Sequence, residues 1–301
     1  MKPIEKRALG LSLFASVLVS TSFVVVSSIA PMMDSAVLTF LRFTLASILF
    51  APIVYWKTGL PLPSLKDLGR YAIISAGLVG FFWGMFESLR TTTALNTATI
   101  FTLMPVMGAG LSVLFLGERL PKRSILALGL GMVGAVWVIF RGNLADLQSV
   151  ELNDGDTIFF FATISMSIYS VSIKHLHRGE PMVQMTFWIM VTGSIWLAIV
   201  AAPKLPDVSW MALPIEIIWG LFYLAFVTTV ITFFIFQWST VVLGSTKVMS
   251  FTYLNPALVL VVGLFAGHAL PPVLTYPGII LTVGATLVLQ FAPSKQAKRN
   301  T

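Results

Sequence analysis

The chain has 301 residues, of which 57% are hydrophobic and only 10% are charged, and its formal net charge at pH 7 is +7. Soluble domains carry roughly 25% charged residues, so this composition excludes a globular protein that faces water on all sides. The sequence contains no cysteine, which excludes disulfides, thiolate metal sites and a cysteine nucleophile. The positive charge does not indicate nucleic-acid binding, because Lys and Arg lie in short clusters between apolar stretches, a pattern that orients membrane proteins.

Apolar stretches long enough to span a membrane, which takes about 20 residues each, follow one another along the chain. The first begins near Ala8 and runs without a charge to Ala30, which is too long for the core of a signal peptide and predicts a retained span. Gly244–Ser245 and the turn from Gly267 to Pro272 divide the last apolar region, because Gly and Pro-Pro interrupt helices. The ten predicted spans are 8–29, 36–56, 71–89, 94–116, 124–140, 157–174, 182–202, 214–237, 245–266 and 273–291.

The distribution of Lys and Arg between the predicted connections indicates the orientation of the chain. With ten spans and an N-terminus inside, only Arg90, Arg141 and Lys204 fall in outer connections, whereas the other loop and terminal Lys and Arg residues fall on the cytoplasmic side. Because cytoplasmic loops carry the excess of basic residues, we expect both termini in the cytoplasm. The predicted location is a bacterial inner membrane.

The two halves of the sequence resemble each other. Residues 98–105 (ATIFTLMP) match residues 249–256 (MSFTYLNP) at an offset of 151, and residues 115–121 (FLGERLP) match residues 265–271 (FAGHALP) at an offset of 150. We therefore divide the chain into a first repeat, 1–147, and a second, 148–301, with five spans each. An odd number of spans inverts the second repeat, as in many secondary transporters. The expected fold is an all-α integral membrane protein of ten transmembrane helices in two inverted five-helix repeats.

The same segments carry a family resemblance. A proline within the fourth span, the turn Phe115-Leu-Gly-Glu-Arg119, a glycine-rich helix after it, and Leu41-Arg42-Phe43 in the second span resemble the EamA repeat of the drug/metabolite transporter superfamily. The second half departs from that pattern at His268-Ala269. Within the superfamily, the length and aromatic content are most similar to the YddG type of bacterial amino-acid exporters. The resemblance implies alternating inward-open and outward-open states and export of small metabolites without ATP hydrolysis.

Charged residues within predicted spans are the first functional candidates. Lys247 is the first candidate to bind a substrate carboxylate, because a cation within a span is costly and normally faces a cavity; the alternative is that it extends to water at the cytoplasmic end of the ninth span. Glu87 is the candidate for proton coupling, although it lies near the outer end of the third span. Arg42, about two turns into the second span, is expected to anchor neighbouring carbonyls or lipid headgroups. Glu118, with Arg119 and Arg123 close by in sequence, is expected to form a structural or gating ion pair at the cytoplasmic face.

Polar and aromatic side chains on several spans are candidates to line a substrate cavity, although hydroxyls in spans often bond only to their own helix or its neighbour. Pro105 and Pro256 are predicted hinges for alternating access, because proline removes a backbone hydrogen bond and permits a kink; static bends are the alternative. Besides Lys247, the candidate contacts are Trp83, Asn96, Thr99, Ser165, Tyr169, Ser250 and Tyr253.

These observations predict a secondary transporter that exports small metabolites, with amino acids, including aromatic and other apolar ones, as the expected cargo. The alternative is a proton-coupled exporter of drugs or organic cations, which would use Glu87. An enzyme is not expected, because no cluster of His, Asp or Glu lies at membrane depth. The expected partners are the lipid bilayer and a small-molecule substrate; no cofactor, metal, nucleic acid or obligate protein partner is expected.

Overall fold

The computed structural model describes residues 2–29, 32–88, 91–92, 97, 100–140, 142–143, 145, 153–258, 261 and 272–291, and this part of the chain is built mainly from helices. In chain order the α-helices are α1 Pro3–Ile29, α2 Ser35–Thr58, α3 Leu65–Ser88, α4 Met104–Leu116, α5 Lys122–Ile139, α6 Asp154–Leu176, α7 Met182–Ala201, α8 Ile215–Leu243, α9 Ser245–Met249 and α10 Tyr276–Phe291. Short 3₁₀ helices cover Leu205–Asp207, Trp210–Ala212, Ser250–Leu254 and Val273–Thr275.

Seven of the described helical segments are long and apolar enough to cross a membrane: α2, α3, α5, α6, α7, α8 and Val273–Phe291, which includes α10. They coincide with seven of the predicted spans. The 27 residues of α1 cover the predicted first span, and the 13 residues of α4 cover the end of the fourth. The start of the predicted fourth span and the end of the ninth lie outside the described residues. The chain is therefore a multi-pass membrane protein, while the count of ten spans and the inversion of the halves stay predictions.

Local sequence signals explain several helix ends. The Asp34 carboxylate accepts hydrogen bonds from the backbone N–H groups of Ala36 and Val37 and so caps α2. Asn153 and Asp156 form a reciprocal capping box at the start of α6. Gly244 has a φ of +96°, which side chains other than glycine rarely adopt, and it separates α8 from α9. The predicted break at Gly244–Ser245 is thus confirmed, although α8 continues six residues past the predicted end at 237.

Glycines set two of the closest helix contacts. On α3, a Cβ at Gly80 would lie 2.5 Å from the Ser165 Oγ, and one at Gly84 would lie 2.8 Å from the Ala162 Cβ, so α3 and α6 meet almost backbone to backbone. On α5, a Cβ at Gly134 would lie 2.9 Å from the carbonyl oxygen of Gly278 in α10. Small residues at such contacts allow the close approach that stabilises helix pairs in lipid.

One end of the bundle, which we call the N-face, holds the start of α1, the end of α8 and the start of α9. Ala8, Leu243 and Val248 pack together there, and the Ser239 hydroxyl donates to the Ala8 carbonyl. The opposite face holds the capped start of α2 and the 3₁₀ turns between α7 and α8. The largest apolar core lies between these faces and is formed mainly by α2, α3, α6, α7 and α8.

Candidate substrate site

Arg42 is buried within the bundle, where its side chain is only 3% exposed. It lies seven residues after the start of α2, which corresponds to about 10 Å along the helix. Its Nε donates to the Thr229 Oγ1 at 2.8 Å, and its Nη2 lies 3.3 Å from both the carbonyl oxygen and the Oγ1 of Thr228. The expected bonding of Arg42 to neighbouring carbonyls is therefore confirmed, and it joins α2 of the first half to α8 of the second.

The partners of Arg42 lie in a π-helical segment, Phe226–Ile231, in the middle of α8. In this segment the Thr229 hydroxyl donates five residues back to the Leu224 carbonyl at 2.7 Å, and the Thr232 hydroxyl donates to the Thr228 carbonyl at 2.8 Å. Hydroxyls that bond back to the preceding turn loosen the regular backbone ladder. Single π-helical turns are often found at functional sites, so this segment is a candidate for substrate contact.

The ring of Phe82 lies against the guanidinium, and other phenylalanine rings pack against Phe82. The Arg42 Cζ lies 4.9 Å from the centroid of the Phe82 ring, within the range of a cation–π interaction. Phe82 contacts the rings of Phe43, Phe81 and Phe233 at centroid distances of 5.2–6.0 Å. A positive charge at the centre of a spanning helix costs about 3 kcal/mol or more, and the hydroxyls, carbonyl and ring together offset part of that cost.

Two of the predicted contacts, Ser165 and Tyr169, lie on α6 where it meets α3. Ser165 fills the space above Gly80, and the backbone of Tyr169 packs against Gly77. The Tyr169 hydroxyl accepts a hydrogen bond from the Gln237 Nε2 at 2.9 Å, while the Gln237 Oε1 accepts one from the Thr186 hydroxyl at 2.7 Å. Gln237, which the sequence reasoning missed, is the only glutamine of α8, and that isolation in an apolar span was the available signal.

Lys247, Ser250 and Tyr253 lie together near the N-face, where each has a partner. The Lys247 Nζ donates to the Gln290 carbonyl oxygen at 2.8 Å, and Gln290 Nε2 returns a bond to the Lys247 carbonyl oxygen at 2.9 Å. Lys247 belongs to α9, but its ammonium group lies at the last turn of α10, where the helix dipole favours a positive charge. The Ser250 hydroxyl accepts from Gln290 at 3.1 Å. The half-buried Lys247 thus matches the alternative of a cation at a span end; its binding of substrate stays a prediction.

Tyr253 is fully buried and spans the two halves. Its hydroxyl donates to the Leu128 carbonyl oxygen of α5 at 2.8 Å. Its ring packs so closely on Gly131 that a Cβ there would lie only 2.6 Å from the ring carbons. This contact explains Gly131 in the run Gly129-Leu-Gly131-Met-Val-Gly134 as a packing position rather than part of a nucleotide-binding loop.

Of the remaining predicted residues, the structure describes Trp83 and Glu87. Trp83 is 42% exposed, on the same face of α3 as the exposed Ala76 two turns earlier. Glu87 is half-buried one residue before the end of α3, near the face opposite the N-face. Asn96 and Thr99 lie outside the described residues. The proposed roles of these four residues stay predictions.

The two predicted hinge prolines lie in the first turns of helices that follow irregular backbone. Pro105 is in the first turn of α4, directly after a turn at 102–103. Pro256 follows the 3₁₀ helix Ser250–Leu254 and lies in the helical residues 255–258. Proline is well tolerated at the start of a helix, where its missing N–H would have no helical partner. Irregular turns precede both prolines, and the predicted role of Pro105 and Pro256 as hinges stays a prediction.

Polar contacts join the two halves at the N-face. Gly117, with a φ of +62°, ends α4 and is followed by Glu118, whose Oε1 lies 3.0 Å from the Lys174 Nζ of α6. The Thr246 hydroxyl donates to the Glu118 Oε2 at 3.1 Å, and the Ser112 and Ser245 hydroxyls are 2.5 Å apart. The expected ion pair of Glu118 is confirmed, but its partner is Lys174 rather than the neighbouring Arg119 or Arg123. No group of three His, Cys, Asp or Glu residues that could hold a metal occurs in the described part of the chain.

The apolar spans, the buried arginine between the halves and the polar contacts that join the halves at one face define a multi-pass membrane transporter. The sequence model of the EamA-like transporter family matches residues 6–140 and again residues 154–291. The chain therefore belongs to the EamA-like transporter family, and with it to the drug/metabolite transporter superfamily. The narrower YddG-type assignment stays a prediction.

Similar proteins agree with this assignment. The uncharacterized transporter YyaM of Bacillus subtilis is 23% identical over 93% of this chain and 89% of its own length. The S-adenosylmethionine uptake transporter of Rickettsia felis is 24% identical over 96% of this chain and 95% of its own length. A solved crystal structure with 18% sequence identity superimposes with a TM-score of 0.74 over 94% of this chain and 96% of that chain, which shows a shared fold. The Bacillus and Rickettsia relatives are named transporters, and with the family match this makes the chain a transporter rather than an enzyme.

Proposed function

We propose that this chain exports small metabolites, with amino acids as the principal cargo, across a bacterial inner membrane by alternating access between its two halves. The observation that carries the proposal is the position of Glu118. This carboxylate of the first half is shared between Lys174 and Thr246 of the second half at the N-face. Such contacts close one end of the interface between the halves through a few polar groups, each of which water can replace when that end opens.

The substrate class follows from the chemistry between the halves and from one relative. Arg42, Thr228 and Thr229 place a cation and hydroxyls between α2 and α8, where a zwitterion with an apolar side chain would find partners for its carboxylate and, on the adjacent phenylalanine rings, for its side chain. The Rickettsia relative takes up S-adenosylmethionine, a methionine derivative, by its name. Its direction is opposite to the export that we propose, so the direction in this chain must be measured.

The test is counterflow of labelled amino acids in proteoliposomes that contain the purified protein. We expect saturable exchange of one or more amino acids, absent from protein-free liposomes, and we include S-adenosylmethionine and the organic cation tetraphenylphosphonium in the same panel. Exchange of no amino acid would contradict the proposed substrate class. Exchange of tetraphenylphosphonium alone, abolished by Glu87→Gln, would establish the proton-coupled cation exporter instead.

A further inference from the structure

Arg42 has no acidic partner among the residues that the structure describes. The ion pairs found there involve Arg70, Lys174 and Arg178, and none brings a carboxylate oxygen within 4 Å of the Arg42 guanidinium. Its bonds to Thr228 and Thr229 are to neutral oxygens. A charged side chain buried in a span is normally paired with an opposite charge or faces a pathway. Among the described residues, Arg42 has neither an opposite charge nor a bond to a charged group.

The hydrogen bonds to Arg42 also leave part of its guanidinium unused. Nε and Nη2 donate to the π-helical segment of α8, whereas Nη1 makes no hydrogen bond with another described residue. Thr228 and Thr229 therefore hold one edge of the guanidinium, and the Phe82 ring lies against it, so that its plane is fixed. A planar guanidinium held in this way is suited to a carboxylate, which it binds at short distance and with a defined orientation.

We propose that Arg42 is the group that binds the substrate carboxylate, and that Thr228, Thr229 and Phe82 hold it in position. This inference rests on the proposed function, since it names the residue that recognises the cargo. It moves carboxylate recognition from Lys247 at the N-face, which is bonded to the Gln290 carbonyl oxygen, to a buried position between the two halves. The π-helical segment has a corresponding purpose, because it turns the Thr228 and Thr229 oxygens towards the guanidinium.

The experiment compares L-methionine with L-methioninamide, which lacks the carboxylate charge, in proteoliposomes of the wild type, Arg42→Lys and Arg42→Gln. The wild type should exchange labelled L-methionine, and excess L-methioninamide should compete poorly. Arg42→Gln should lower methionine exchange at low concentration at least about tenfold, since hydrogen bonds to charged groups contribute that much, and should remove the preference over the amide. Arg42→Lys, which keeps the charge without the planar geometry, should exchange methionine at a rate between those of the wild type and Arg42→Gln.

Several results would overturn the assignment of Arg42. One is an Arg42→Gln variant that keeps the preference for methionine over methioninamide; another is loss of that preference in Lys247→Gln with Arg42 intact. If Arg42→Gln does not fold, Arg42→Lys provides the test, and an unchanged preference for methionine over methioninamide in that variant counts against Arg42.

If the wild type exchanges no amino acid, the proposed cargo is wrong, and binding of a carboxylate is then judged from melting temperatures. A melting temperature of the wild type that rises with benzoate but not with benzamide, and no longer rises in Arg42→Lys, supports Arg42 as the carboxylate-binding group. A wild-type melting temperature that benzoate does not raise overturns the inference.

Discussion

The interior of this transporter contains polar side chains that are matched with one another rather than with water. Tyr169, Gln237 and Thr186 are the clearest example, because each is buried and the glutamine amide bonds to both hydroxyls. A buried polar group that loses its partner retains its full cost of desolvation, whereas removal of both partners is nearly neutral. The network therefore fixes the relative positions of α6, α7 and α8 more than it adds to the free energy of unfolding.

Gln237→Leu tests this interpretation, because it leaves the Tyr169 hydroxyl without its donor. We expect the free energy of unfolding in detergent to fall by about 1–2 kcal/mol. In the double variant with Tyr169→Phe, the further loss should be close to zero, because the Tyr169 hydroxyl that Gln237→Leu leaves without a donor is then absent. The Thr186 hydroxyl lacks its acceptor equally in Gln237→Leu and in the double variant. Denaturant unfolding of the two single variants and the double variant measures the coupling. Strictly additive losses would show that the two side chains act independently.

At the scale of helices, glycine positions decide which pairs approach closely. Within α5, three glycines of one short run have different surroundings: nothing lies within 4 Å of a Cβ placed on Gly129, whereas a Cβ on Gly134 would contact α10 at 2.7–3.0 Å. The run therefore has one free position and one position that determines the spacing between α5 and α10. These two glycines form a matched pair for mutation.

Gly134→Ala should destabilise the protein, because the Gly278 carbonyl and the α10 backbone must move away to accept the methyl group. Gly129→Ala should be neutral or slightly stabilising, since alanine favours a helix by up to about 1 kcal/mol over glycine. Unfolding temperatures of the two variants in the same detergent provide the comparison. Equal temperatures would mean that the contact between α5 and α10 yields without cost.

Hydropathy and helix-breaking residues were sufficient to place most of the helices. The predicted spans coincide with seven described membrane-length segments, and Gly244 ends α8 as its position suggested. The π-helical segment was not predictable, because residues 226–231 carry no local signal for it and the sequence does not show that Thr228 and Thr229 contact Arg42. Hydroxyls that bond their own backbone look the same in sequence as hydroxyls that bind another residue.

The candidate site was predictable only in part for a related reason. Charges within spans can be read from the sequence, and Arg42 and Lys247 were both found that way. Which helix ends are neighbours cannot be read, so the partner of Glu118 was expected among adjacent arginines and is instead Lys174, 56 residues away. The same limit applies to Lys247, because the sequence does not show that the Gln290 carbonyl oxygen accepts a hydrogen bond from its ammonium group.

For the whole molecule, alternating access requires that the two halves separate at the N-face during each transport cycle. The polar contacts between the halves there include the Glu118–Lys174 ion pair, the Thr246 hydroxyl and the hydroxyl pair of Ser112 and Ser245. Ala8 also packs there against Leu243 and Val248 of the second half. Irregular turns precede Pro105 at the start of α4 and Pro256 in the second half. These turns can bend without disrupting a continuous helix, which suits repeated opening of the contact.

The measurement that tests alternating access most directly is transport by the double variant Ser112→Cys/Ser245→Cys. The hydroxyl oxygens are 2.5 Å apart, close to the length of a disulfide, and the chain has no native cysteine to interfere. Each single variant serves as a control. The account predicts that oxidation abolishes amino-acid exchange in proteoliposomes and that a reductant restores it. Exchange at the full rate by protein whose crosslink has formed completely would contradict the proposal that the halves must part at this face.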